Sequence, residues 1–139
     1  MPLLGYAPYS SLAPSLTQTS FLELSSDVST TSASFVDLIS ITIYTYGGTC
    51  LVTFSVSGED SANNRNLYFQ LVMDGTPIKW TQFRTPNTQN SACLTATVIP
   101  AEGSHTFLIQ WRVSANTGQI RPVTVNEEHA ALLIEEVAR

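Results

Sequence analysis

The chain has 139 residues, a formal net charge of −5, 43% hydrophobic residues and only 12% charged ones. That length suits one domain able to bury a core without staples, and the hydrophobic share excludes a disordered tail. Six scattered basic residues, the first at Arg65, exclude a nucleic-acid surface, and no apolar run approaches the roughly 20 residues of a membrane span.

The charged share is about half the usual one, with Ser, Thr and Asn in its place. Such a surface suits a particle component or an adhesive domain better than a crowded cytosolic enzyme. The N-terminus lacks the positive start of a secretory signal. The expectation is a soluble protein made in a cytosol with no removable leader.

Residues 1–18 contain Pro2, Pro8 and Pro14 and show no sustained period. Proline removes backbone donors and favours extended chain, so this segment reads as an extended arm. Leu3, Leu4, Tyr6, Tyr9 and Leu12 would be poorly hidden on a monomer and suit a groove on a neighbouring subunit. The plainer alternative is a frayed terminus. Residues 19–139 form the folded domain.

Residues 19–24 predict a first short strand, and 25–34 a Ser/Thr loop. Over 35–46, Ile39, Ile41 and Ile43 alternate with Ser40, Thr42 and Tyr44, the period of a half-buried strand. Gly47-Gly48 is a hairpin turn. Residues 50–57 put Val52, Phe54 and Val56 on one face, and 58–64 form a polar loop. Residues 66–73 turn Leu67, Phe69, Leu71 and Met73 inward. Asp74-Gly75 is another tight turn, with a strand returning over 78–83.

A second polar loop covers 84–90, then a strand covers 92–99 and a turn 100–103. The strand at 105–114 is the clearest of all. Phe107, Ile109, Trp111 and Val113 share one side, with Thr106, Gln110 and Arg112 on the other. Strands over 120–125 and 130–137 close the domain. Local propensity also supports a helix over 126–139, with Asn126 as cap and Glu127 and Glu128 in its first turn. The strand is preferred at 130–137 because a sandwich edge needs covering. The result is an all-β, antiparallel jelly-roll β-sandwich of about eight to ten strands. Its core includes Phe54, Phe69, Phe107, Ile109 and Trp111.

Cys50 and Cys93 sit in strand-like contexts and read as two small buried hydrophobes, or as a disulfide if their strands are neighbours. No catalytic constellation is present, and no enzymatic activity or cofactor is expected. His105 and His129 lack metal-ligand spacing. In a strand, the doublet Glu135-Glu136 sends its carboxylates to opposite faces, so it is no acid/base pair, and Glu127-Glu128 is read the same way. Oxygens of Glu59, Asp60, Asn63 and Asn64 are compatible with calcium, although a solvated loop explains them equally. Tyr44, Tyr46, Tyr68, Val72 and Leu108 lie on strand faces opposite the core set. Their covering is either a subunit interface or the arm and loops of the same chain.

The stretch Gly103-Ser104-His105-Thr106-Phe107, running on into Gln110-Trp111-Arg112-Val113, resembles a group of small jelly-roll proteins of bacteriophages and prophages. Further matching pieces are Ser34-Phe35-Val36-Asp37, residues 49–57, and 67–75 with its Asp74-Gly75 turn. The resemblance covers roughly residues 19–137; the arm and the run 126–129 depart from it. Such domains are similar to the trimeric tumour-necrosis-factor and complement-head jelly rolls.

The resemblance implies a homotrimer with a virion role and no enzymatic activity. The first expectation is therefore a capsid decoration protein on the virion's capsid surface, made in the host cytoplasm. It would clamp the major capsid protein through its arm, with Tyr44, Tyr46, Tyr68, Val72 and Leu108 in the trimer interface. Neither nucleic acid nor membrane is an expected partner. The alternative is a receptor- or glycan-binding tip of a fibre or tail, using the loops 58–64 and 84–90 with Arg65, Trp80 and Arg84 nearby.

Overall fold

The computed structural model describes residues 16–62, 64–85 and 89–138. Ten strands follow in chain order: β1 (Leu16–Glu23), β2 (Val28–Thr30), β3 (Val36–Thr45), β4 (Thr49–Asp60), β5 (Arg65–Met73), β6 (Thr76–Thr85), β7 (Asn90–Val98), β8 (Gly103–Val113), β9 (Gly118–Ile120) and β10 (His129–Val137). One sheet has the order β1-β10-β4-β9-β2, with β7 also on β4; the other has the order β3-β8-β5-β6.

The pairing is nested and antiparallel throughout. β5 pairs with β6, β4 with β7, β3 with β8, β2 with β9 and β1 with β10. The chain is thus one long hairpin with its tip at Asp74-Gly75. Rolling it brings β5 against β8 and β4 against β10. This is the jelly-roll arrangement that the strand pattern predicts. At the tip, Asp74 (φ 50°) and Gly75 (φ 84°) both lie in the left-handed region, which suits a two-residue turn between twisted strands.

The core lies between the sheets. Phe54, Phe69, Phe107, Ile109 and Trp111 are all buried in it. Phe69 joins the layers: its ring centroid lies 5.7 Å from Phe54 on the facing sheet and 5.6 Å from Phe83 and 6.3 Å from Trp111 on its own. Such ring pairs contribute about 0.5–1.5 kcal/mol each beyond area burial.

Several boundaries differ from the sequence reading. β1 starts at Leu16, so residues 16–18 of the expected arm are strand. Leu3, Leu4, Tyr6, Tyr9 and Leu12 lie outside the described residues. The Ser/Thr loop contains β2, and β4 runs on to Asp60 through the expected polar loop. No strand covers 120–125: β9 ends at Ile120, and Pro122 has no N–H to continue a ladder. Asp27 Oδ1 accepts the N–H groups of Val123 (2.9 Å) and Thr124 (3.3 Å), holding the excursion that follows. The last segment is the strand preferred at 130–137, because every β10 residue pairs with β4. Cys93 is exposed, contrary to the expected burial; it lies opposite Ser55, and both cysteines are free.

One acidic side chain is wholly buried on the core face. Glu136 stands opposite Cys50 and accepts N–H bonds from Tyr46 (2.8 Å) and Gly48 (2.8 Å), and one from Gln18 Nε2 (2.8 Å). Burial pushes this carboxyl up, but the bonds from Gln18, Tyr46 and Gly48 outweigh it and hold the group below its usual range. Burial and the Glu136 charge push the Cys50 thiol up to about 11. The chain passes so close that a Cβ on Gly48 would lie 2.2 Å from the Val137 carbonyl oxygen. Glu136 therefore pins the β3–β4 turn to β10.

Glu136→Ala would leave buried N–H groups unpaired and is expected to cost about 2–4 kcal/mol in urea denaturation. Because the folded carboxyl titrates below the unfolded value of about 4.3, its stabilisation is present above that pH and is lost as pH falls through the folded value. Denaturation midpoints between neutral and acid pH should show that fall in the wild type and a shallower one in the variant.

Candidate functional site

Burying Leu67, Phe69 and Leu71 forces Tyr68 and Gln70 onto the outer face of the β3-β8-β5-β6 sheet. Burying Ile109 and Trp111 does the same for Gln110 and Arg112. The register then sets two rows across the sheet. One runs Trp80, Gln70, Gln110, Asp37; the other runs Gln82, Tyr68, Arg112.

The first row is a chain of amide hydrogen bonds. Gln70 Nε2 donates to Gln110 Oε1 (2.8 Å), and Gln110 Nε2 donates to Asp37 Oδ1 (2.9 Å). Both glutamine planes are fixed by this relay. In the second row the Arg112 guanidinium lies 3.8 Å from the Tyr68 ring centroid and 5.2 Å from that of Phe35. Asn66 Nδ2 donates to the Tyr68 hydroxyl at 3.3 Å. Phe35, Tyr68, Gln70, Trp80 and Arg112 enclose a cleft of about 230 Å³, with Trp80 62% exposed at its wall. An aromatic wall beside oriented amide and guanidinium groups suits a flat ring with an apolar face and hydroxyls at its rim.

Of Tyr44, Tyr46, Tyr68, Val72 and Leu108, only Tyr68 lines this cleft. Val72 is buried and stands opposite Leu108, which is half-buried beside Asp37, Leu38 and Ser40. Tyr44 and Tyr46 are exposed, with ring centroids 5.3 Å apart at the β3–β4 end. Hydrogen-bonded polar rows lie between them: Thr42 with Thr106 (2.9 Å), and the amide relay. Along β8 the outer face therefore alternates apolar and polar rows.

The loop residues are employed differently from the sequence expectation. Arg65 Nε bonds Asn116 Oδ1 (3.0 Å), away from the cleft's polar row. Glu59 and Asp60 do not converge: Glu59 pairs with Arg121, which also pairs with buried Glu128 at 2.9 Å. Asp60 turns inward. Its Oδ1 accepts the Ala62 N–H (2.9 Å), and its buried Oδ2 has no protein partner among the described residues. Burial raises its carboxyl above the ordinary value, with the Ala62 N–H and Arg65 opposing in part. Among the described residues no group of three or more His, Cys, Asp or Glu side chains gathers as a metal site.

His105 is held between two acceptors. Its Nδ1 lies 2.5 Å from Asp74 Oδ2 and its Nε2 lies 2.7 Å from the Ala101 carbonyl oxygen. A proton on each nitrogen would satisfy both, so the setting favours the imidazolium form. The Asp74 bond first, and then Ala101, raise its pKa; the same bond and the Thr106 N–H (2.8 Å) lower that of Asp74. The pair ties the β5–β6 tip to the start of β8.

The sequence pointed to Trp80 and set Arg112 and Gln110 facing outward, but not the cleft they share with Phe35 and Gln70. The available signal was a matched pair of triplets, Tyr68-Phe69-Gln70 and Gln110-Trp111-Arg112, whose outer members meet only in the observed register.

No family model matches the chain, and no curated protein matches it. Among solved structures it is similar to the CBM36-1 domain of a multidomain xylanase from the hindgut metagenome of Trinervitermes trinervoides. That match has 14% identity and a TM-score of 0.48, over 84% of this chain and 96% of that one. It is also similar to a chain of infectious bursal disease virus Gx strain, with 12% identity and a TM-score of 0.48, over 88% of this chain and 37% of that one. A third is the Eiger TNF of S. frugiperda, with 9% identity and a TM-score of 0.44, over 85% and 93%. At these values the likeness says nothing of a ligand.

Because the folded His105 titrates above the free value of about 6.5, its stabilisation is full below that value and is lost as pH rises through the folded one. The depressed Asp74 acts at the other end: its share is present above about 3.9 and is lost as pH falls through its lower folded value. An NMR titration should place His105 above the free histidine value, and Asp74→Asn should return it toward that value.

Proposed function

We propose that the chain is a non-catalytic carbohydrate-binding domain carried on a virion surface, with the cleft of the β3-β8-β5-β6 sheet as its site. The observation that carries this reading is the row of Trp80, Gln70, Gln110 and Asp37 beside the Arg112–Tyr68 stack. A sugar ring has an apolar C–H face, which Trp80 would cover, and a hydroxyl rim, which fixed amides would read. With its Nε2 committed to Gln110, Gln70 has Oε1 to offer a ligand as an acceptor. Nucleobases also stack, but a net charge of −5 works against a phosphate backbone. The virion location rests on the phage resemblance of residues 103–118.

Trp80→Ala is expected to weaken oligosaccharide binding by about tenfold or more, equivalent to about 1.4 kcal/mol, in calorimetry or on a glycan array. The melting temperature should hardly move, since the side chain is exposed. A wild type that ignores every oligosaccharide would remove this reading.

A second reading, a trimeric capsid decoration protein bound to the major capsid protein, is favoured by the opposite sheet. Phe21 (57% exposed) stands opposite Leu133, and Leu51 (40%) lies nearby on the same outer face. β1 is an edge strand with Leu16 exposed at its start. Edges and apolar rows of this kind call for a cover, which sister copies or capsid would provide. Native mass spectrometry is expected to give a trimer, and deletion of residues 1–15 to reduce occupancy on empty heads. A monomer whose truncation leaves occupancy unchanged would exclude the clamp.

A further inference from the structure

The cations of the chain are unequally employed. Arg121 is neutralised by Glu59 and Glu128, the latter wholly buried. Arg112 has no carboxylate within ion-pair distance among the described residues. Its guanidinium lies against the rings of Tyr68 and Phe35 and lines the cleft together with Trp80. Asp37, the acid on the same face, is engaged by Gln110.

A half-buried guanidinium of this kind has surrendered water to two rings and gained no counter-charge. The negative ring faces attract its positive charge, but they offer nothing to its in-plane N–H donors. Those donors form a fork that fits a carboxylate or sulfate with two parallel bonds. The chain carries a net charge of −5, so an anion is repelled by much of its surface and gains where this fork meets it.

We propose that the cleft selects acidic sugars: Arg112 takes a carboxylate or sulfate carried on the ring that Trp80 covers, and Gln70 takes a neighbouring hydroxyl. This inference rests on the carbohydrate reading above and narrows it to a ligand class. Arg112 acts as the specificity residue and Trp80 as the general platform, so their variants have different signatures.

The test is an array of neutral, carboxylated and sulfated oligosaccharides probed with the full chain, followed by calorimetry on the best matched set. Acidic sugars are expected to bind at least tenfold more tightly than their neutral counterparts, with the difference shrinking as salt rises. Arg112→Gln should abolish the difference, bringing acidic sugars down to the level of their neutral counterparts, and Arg112→Lys should retain part of it. Trp80→Ala should weaken acidic and neutral sugars alike. The carboxylated and sulfated arms tell which anion the fork prefers. Equal binding of neutral and acidic sugars by the wild type would overturn the charge selection and leave the carbohydrate reading standing. Failure of every sugar to bind would overturn both.

Discussion

The strict alternation of buried and outward side chains on β5 and β8, locked in one register, is the constraint on which the other features depend. Leu67, Phe69 and Leu71 must face the core, and so must Ile109 and Trp111. A slip of one residue would reverse the faces, exposing Phe69 and burying the amide of Gln70. An unpaired buried amide costs about 1–3 kcal/mol, added to the lost apolar burial. The core thus selects the register, and the register assembles the cleft. Trp80, Gln70, Gln110 and Asp37 meet across four strands although they come from distant parts of the chain.

The acidic residues show a second common logic. Glu136 accepts backbone N–H groups of the β3–β4 turn, Asp74 that of Thr106, Asp27 those of Val123 and Thr124, Asp60 that of Ala62, and Glu128 that of Arg121. These carboxylates stand where the ladder ends and a turn would leave donors unmatched. A chain with so few charges employs many of them as fasteners for its connections. The surface left over is largely hydroxyl and amide, broken by aromatic residues such as Trp80 and Tyr46.

The sequence carried the fold through its periodicity. The β8 pattern Phe107, Ile109, Trp111, Val113 is long enough to decide between strand and helix, and Asp74-Gly75 marks the hairpin tip. The short strands β2 and β9 were not legible, because three residues carry no period; they exist by pairing with each other. Residues 120–125 misled because apolar Val123 and Val125 imitate alternation, whereas Pro122 and the Asp27 carboxylate decide the local path. Cys93 misled for a related reason: a cysteine between apolar neighbours fits either face of a strand, and only register puts it outside. The cleft was only half legible. Outward orientation follows from alternation, but which outward residues share a row depends on pairing between strands about forty residues apart, as for Gln70 and Gln110.

The nested pairing also sets a timetable. The β5–β6 hairpin is local and can close as soon as it leaves the ribosome, whereas β1 must wait for β10, which is made only after all the strands between them. Until then the nascent chain carries Leu16, Phe21 and Leu22 on a strand without its ladder partner while the intervening strands are made. Productive folding therefore proceeds from the middle outward, and the interval before the outermost pair zips up is when two nascent chains are most apt to exchange their first strands.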